Sequence, residues 1–137
     1  MKRKVQVVII ENTSEALKLI KFRLTPERGG FWQNITGSVD EGEDYPEAAR
    51  RELFEETGLS LGPLTDLDFS FNFKDRWGDE VSERVYLALV KSPRLIKLSS
   101  EHDLYRRLPL EHVRPDDFGF SSSYEAFLKA KLKANYS

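Results

Sequence analysis

The chain has 137 residues, 39% of them hydrophobic and 12% aromatic, with a net charge of −2. That size and composition fit one globular domain with one core and exclude intrinsic disorder. The near-balanced charge argues against a generic nucleic-acid-coating surface. The absence of cysteine excludes disulfides, a thiolate nucleophile and a Cys-based zinc centre, and suits a reducing, cytoplasmic setting.

MKRKVQVVIIEN opens with basic residues and a short apolar run. The run is too short for a secretory signal, and no stretch approaches the roughly 20 apolar residues of a membrane span, so no membrane partner is expected. Lys4–Glu11 is β-branched and reads as a strand. Asn12-Thr13-Ser14 is a turn, and Ala16–Leu24 is the second strand of a hairpin. After a loop at Thr25–Gly30, Phe31–Val39 is extended, with a break expected at Gly37. Asp44–Thr57 is a helix. Asp44 is a good N-cap with Glu47 three residues on, Pro46 sits in the first turn, and Gly58 stops the helix. Pro63–Lys74 and Val81–Val90 are strands around a turn at Asp75–Glu80. Ser99–Asp103 is a polar loop, Tyr105–Leu108 a short strand, and Pro109–Val113 a helical turn. Ser121–Ala134 is a closing helix with Tyr124, Phe127, Leu128 and Leu132 near one face; Lys129, Lys131 and Lys133 form a solvated edge. Strands on both sides of a central helix, followed by a closing helix, predict an α/β domain over 1–137 whose mixed sheet packs between helices.

The stretch GSVDEGEDYPEAARRELFEETGL, Gly37 to Leu59, carries eight acidic residues. Like charges at i,i+4 weaken a helix by a few tenths of a kcal/mol per pair. A bound cation would offset that. Glu52, Glu55 and Glu56 stand at i, i+3 and i+4, so their carboxylates leave one helix face. Three such carboxylates suit a hard divalent cation, Mg²⁺ or Mn²⁺, better than Zn²⁺, which prefers His or Cys. The competing reading is a solvated acidic face paired with Arg50 and Arg51.

The spacing settles the preference. Gly37, Glu43, Arg51-Glu52-Leu53, Glu55-Glu56 and Gly58-Leu59 are nine positions with fixed gaps over 23 residues. This pattern resembles the Nudix box of the Nudix hydrolases at every defined position. The resemblance implies a Nudix-type α/β/α sandwich and metal-dependent hydrolysis of a phosphoanhydride. It implies Glu52, Glu55 and Glu56 as metal ligands, with the Thr36 main-chain carbonyl beside them. Glu43 supports the site from behind, Arg51 orients the carboxylates, and Gly37 lets the backbone approach. The catalytic base stays open among Glu52, Glu56 and Glu101. Glu101, in the loop SSEHDLYRRL, is also a possible extra metal ligand.

The run FWQNITGSV, with Ser100-Glu101-His102 and Tyr105–Leu108, is similar to bacterial dihydroneopterin triphosphate pyrophosphohydrolases. Arg107 stands where that group has an aromatic residue. The likeness implies a nucleoside or pterin triphosphate cut to a monophosphate and pyrophosphate. Phe31 and Trp32 are candidates to stack on a heterocycle; Arg23, Arg28, Lys74 and Arg76 are candidates for the phosphates. His102 and His112 have no spacing that makes them a metal pair, though His102 could orient a phosphate. The alternatives are a dinucleoside polyphosphate or RNA 5′-triphosphate hydrolase, and a nucleotide sensor that has the fold without catalysis.

Overall fold

The computed structural model describes residues 1–135. Seven strands form one mixed sheet: β1 (Lys2–Asn12), β2 (Leu17–Leu24), β3 (Trp32–Gln33), β4 (Ile35–Ser38), β5 (Thr65–Lys74), β6 (Glu80–Val90) and β7 (His102–Pro109). The helices are α1 (Tyr45–Thr57) and α2 (Ser121–Asn135). The expected hairpin, box helix and closing helix are all present.

β1 is central because it is buried on both faces from Val5 to Glu11, as its β-branched run requires. It runs parallel to β6, from Lys2 opposite Val81 to Glu11 opposite Val90. Its other edge is divided. Ile9–Asn12 pair with β2, and Lys4–Val7 pair with β4. The extended segment after Phe31 therefore breaks at Asn34 and not at Gly37. There the chain leaves β2, where Gln33 faces Phe22, and joins β1, where Ile35 faces Val7. β7 is longer than its sequence suggests and begins at His102, because the free edge of β2 offers partners back to Leu24.

Alternate residues of β1 feed two cores. Val5, Val7 and Ile9 pack with Ala48, Ala49 and Leu53 of α1. Val8 and Ile10 pack with Ala126, Phe127 and Ala130 of α2. The sheet is thus sandwiched between the two helices. The buried stripe of α2 is Ser123, Ala126, Phe127, Ala130 and Ala134. Leu128 and Leu132, expected on that face, are 44% and 60% exposed. Small residues let α2 lie close to the sheet, which turns the larger leucines outward.

Candidate active site

The box helix is fixed at both ends. Asp44 Oδ1 accepts from the Glu47 backbone N–H (2.8 Å), and Glu47 returns a long contact to the Asp44 N–H (3.5 Å). Gly58 closes the helix at φ 77°, and its N–H donates to the Phe54 carbonyl at 2.8 Å. β4 runs beside this helix. A Cβ at Gly37 would overlap the Glu52 carboxyl group, so only glycine lets the strand pass so close.

Arg51 organises the carboxylates. Its Nε and Nη2 donate to the two Glu43 oxygens at 2.8 and 3.0 Å. Nη1 donates to Glu52 Oε1 (3.0 Å) and Glu55 Oε2 (3.1 Å), and Nη2 also reaches the Ser38 carbonyl (2.8 Å). One planar guanidinium therefore ties strand, loop and helix together. Its contact with Glu43 holds the Glu43 carboxyl below the usual range. Glu52 behaves in the opposite way. Burial, with Glu55 and Glu56 nearby, pushes its carboxyl up to about 7 despite Arg51.

The second half of the site comes from the segment ahead of β7. Ser99 Oγ donates to Glu56 Oε2 at 2.6 Å and accepts from the Glu101 N–H at 3.1 Å. His102 is 3% exposed. Its Nδ1 lies 3.2 Å from Glu56 Oε2, but off the line of a straight hydrogen bond, and that nitrogen has no other partner. Its Nε2 lies 3.2 Å from the Gln33 amide. Burial alone would raise Glu56; His102 and Ser99 outweigh it and hold the carboxyl low. Burial and the Glu56 charge raise Glu101. Ligand atoms of Glu56, Glu101 and His102 lie within 4.8 Å of one another.

A cavity of about 770 Å³ opens on this array, lined by Arg28, Thr36, Gly37, Glu52, Arg76 and Glu101 among others. Arg28 Nη1 stands 3.7 Å from Glu101 Oε1. The other sequence-derived contacts lie elsewhere. Arg23 is paired with Asp103 (2.9 Å). Phe31 rests on Phe120, ring centroids 5.4 Å apart. Trp32 is covered by Lys21 and Arg106. Lys74 is exposed at the end of β5. Glu55 is on the helix but exposed. His112 is exposed in a short 3₁₀ turn and does not meet His102.

Ser99 and Gln33 are site residues that the sequence did not single out. Ser99 stands two residues before Glu101, and Gln33 lies between Trp32 and Asn34 in a stretch that also holds Thr36 and Ser38; neither signal exceeds that of ordinary polar residues. No helix among the described residues is long and apolar enough to cross a membrane.

Known proteins resemble the chain in sequence and in fold. An octanoyltransferase of Myxococcus xanthus is 34% identical over 126 residues, 82% of this chain. A dihydroneopterin triphosphate diphosphatase of Escherichia coli K12 is 40% identical over 55 residues, 40% of this chain. The chain spans about a third of the length of these curated relatives, 34% and 35% respectively. The solved structure of a C. elegans Ap4A hydrolase binary complex superposes with a TM-score of 0.82 at 21% identity, covering 100% of both chains, which is a likeness of fold. The family model for the NUDIX domain matches residues 1–128. With that match over nearly its whole length, the chain belongs to the Nudix family.

Proposed function

We propose that the protein is a Mg²⁺-dependent pyrophosphohydrolase that cuts a nucleoside or pterin triphosphate to a monophosphate and pyrophosphate. The observation that carries this reading is the meeting of Glu52 and Glu101 with Arg28 and Arg76 around one cavity. Carboxylates on one side and guanidiniums on the other fit a polyphosphate bridged to a cation. The donor set fits Mg²⁺. Glu52, Glu55, Glu56 and the Thr36 carbonyl offer hard oxygen ligands, and a cation would offset the burial that raises the Glu52 carboxyl. The partial match to the E. coli dihydroneopterin triphosphate diphosphatase supports a triphosphate substrate.

When bound, the ion neutralises the phosphoanhydride and makes a coordinated water more acidic. The chain's own residues do the rest. Arg51 holds Glu52 and Glu55 in register. Ser99 and His102 keep Glu56 anionic. Arg28 and Arg76 orient the phosphate chain. Glu101, raised by burial and by Glu56, has the proton affinity and the access of a general base, and takes the proton from the attacking water.

The test is a substrate panel of dihydroneopterin triphosphate, the common NTPs and dNTPs, ADP-ribose and diadenosine tetraphosphate, in Mg²⁺ and in Mn²⁺. Pyrophosphate plus a monophosphate is the expected product pair. Replacing Glu56 by Gln should lower turnover by roughly 10²–10⁴-fold with the fold retained. Full activity in that variant would refute the site assignment.

A further inference from the structure

On the α2 side of the sheet lies a second cavity, of about 500 Å³, between β5 and the N-terminal end of α2. Its volume is within the roughly 300–1,000 Å³ of small-molecule sites. Its walls include Phe71, Phe73 and Phe120, and its polar lining includes Gln6 and Glu83. Glu83 is 5% exposed. Gln6 Nε2 donates to Glu83 Oε2 at 2.8 Å. Among the described residues no other side chain hydrogen-bonds to that carboxylate and no cation forms an ion pair with it.

The Gln6 amide is itself fixed in direction. Its Oε1 accepts from Asn34 Nδ2 at 2.8 Å, and Asn34 Nδ2 also donates to the Ser123 carbonyl at 3.1 Å. This relay aims the Gln6 NH₂ at one Glu83 oxygen and leaves the other without a protein donor. A buried carboxylate without a cation is costly. Glu83 occupies an interior position of β6, two residues from both Val81 and Val85, where an apolar residue would serve the strand better. Burial pushes its carboxyl up, opposed by Gln6 and by the charge of Lys4. Two N–H donors from a ligand would favour the ionised form.

We propose that this cavity is the heterocycle pocket of the enzyme, and that Glu83 recognises a 2-amino-4-oxo pyrimidine edge, as in guanine or a pterin. The ring N–H and the exocyclic NH₂ of that edge are adjacent donors and match a carboxylate. Adenine offers one donor beside an acceptor, and hypoxanthine lacks the amine. Phe71 and Phe73, with centroids 6.0 Å apart, supply aromatic contact. The two cavities adjoin at Lys4, Gln33 and Thr36; in the proposed pose the phosphates lie at the carboxylates and the ring against Glu83. The assignment rests on the pyrophosphohydrolase reading for the position of those phosphates.

The experiment is calorimetric binding of GMP, dihydroneopterin monophosphate, IMP and AMP to the full chain without metal, for wild type and Glu83→Gln. Wild type is expected to bind GMP or dihydroneopterin monophosphate at least about tenfold more tightly than IMP or AMP, since a site built for a hydrogen bond rejects the analogue lacking it. Whichever of the first two binds more tightly identifies the ring. In Glu83→Gln, where an NH₂ replaces one acceptor oxygen, the preference should fall to within about threefold. Equal binding of GMP, dihydroneopterin monophosphate and IMP by wild type, no binding of any of them, or an unchanged ratio in a folded variant overturns the proposal. Should Glu83→Gln fail to fold, the wild-type comparison with IMP decides alone. Pyrophosphate release from the triphosphate panel in Mg²⁺ reports separately on the hydrolase reading. Release without the binding preference removes the pocket; the preference without release removes the hydrolysis.

Discussion

Gly37 and Arg51 do their work through a few atoms each. Gly37→Ala would put a methyl group where the Glu52 carboxyl lies. The side chain must swing away, and with it goes the hydrogen bond to Arg51. We expect the apparent Mg²⁺ affinity to fall by roughly 10–100-fold, the usual effect of disturbing a group that orients a ligand. Titration of activity against Mg²⁺ checks this; an unchanged midpoint would show that Glu52 is not a ligand. Arg51→Lys keeps the charge and loses the fork. It can no longer hold Glu43 by two bonds while reaching Glu52 and Glu55. Its rate should fall although the net charge is the same, and steady-state kinetics at saturating Mg²⁺ would reveal it. Both residues were singled out in the sequence through the resemblance that the fixed spacing from Gly37 to Leu59 supports, and their contacts in the fold are those just described. Ser99, Gln33 and Gln6 were not legible, since an isolated polar residue gives no sign of the side chain it will meet after folding.

Among the elements, α1 must hold its carboxylates steady, so its first turn matters. Asp44→Ala removes the side-chain acceptor for the Glu47 N–H. The expected loss is about 1 kcal/mol of stability, measured by urea unfolding at neutral pH. Asp44→Ser, which restores a capping oxygen, should recover most of it. The cap, Pro46 and Gly58 made this helix readable to within a residue, because every one of those signals is local. The strands were less readable at their ends. The break at Asn34 arises where the chain passes from β2 to β1, and the start of β7 at His102 arises from the free edge of β2. Both depend on a partner strand distant in sequence. The outward turn of Leu128 and Leu132 has the same origin, since helix periodicity cannot say which neighbouring stripe the sheet will accept.

For the whole molecule, metal binding and folding should be linked through pH. Folded Glu52 has its carboxyl at about 7, above the ordinary 4.5. The folded state therefore holds that proton more tightly than the unfolded chain. Protonation of Glu52 stabilises the metal-free protein fully below about pH 4.5, and that contribution is lost as pH rises through 7. Glu101 shifts in the same direction. A cation needs the ionised forms, so its stabilising effect grows over the same window. The Tm gain from a fixed excess of Mg²⁺ should be small at pH 5.5 and larger at pH 8. In Glu52→Gln that pH dependence should flatten. A gain that is constant from pH 5.5 to 8 in the wild type would exclude Glu52 from the metal site.

The order of strands and helices, with the resemblance of the box, determined the fold class, and the spacing along one helix placed the carboxylates on its face, because such spacing converts directly into direction in space. The sequence also placed Glu101 among the candidates through resemblance. Tertiary structure alone decided which other groups join them. His102 came to lie behind Glu56, and Arg28 and Arg76 came to line the cavity with Glu52 and Glu101, while Arg23, Phe31, Trp32 and Lys74 were placed elsewhere. Tertiary structure also set Glu83 against Gln6, 77 positions apart in the chain. These contacts depend on how strands separated by many residues pair and which way each side chain then points. No local pattern encodes that: a shift of one residue in register would turn the strand side chains among them to the opposite face of the sheet, and Arg28, Arg76 and Glu101 sit on turns whose position those strands set.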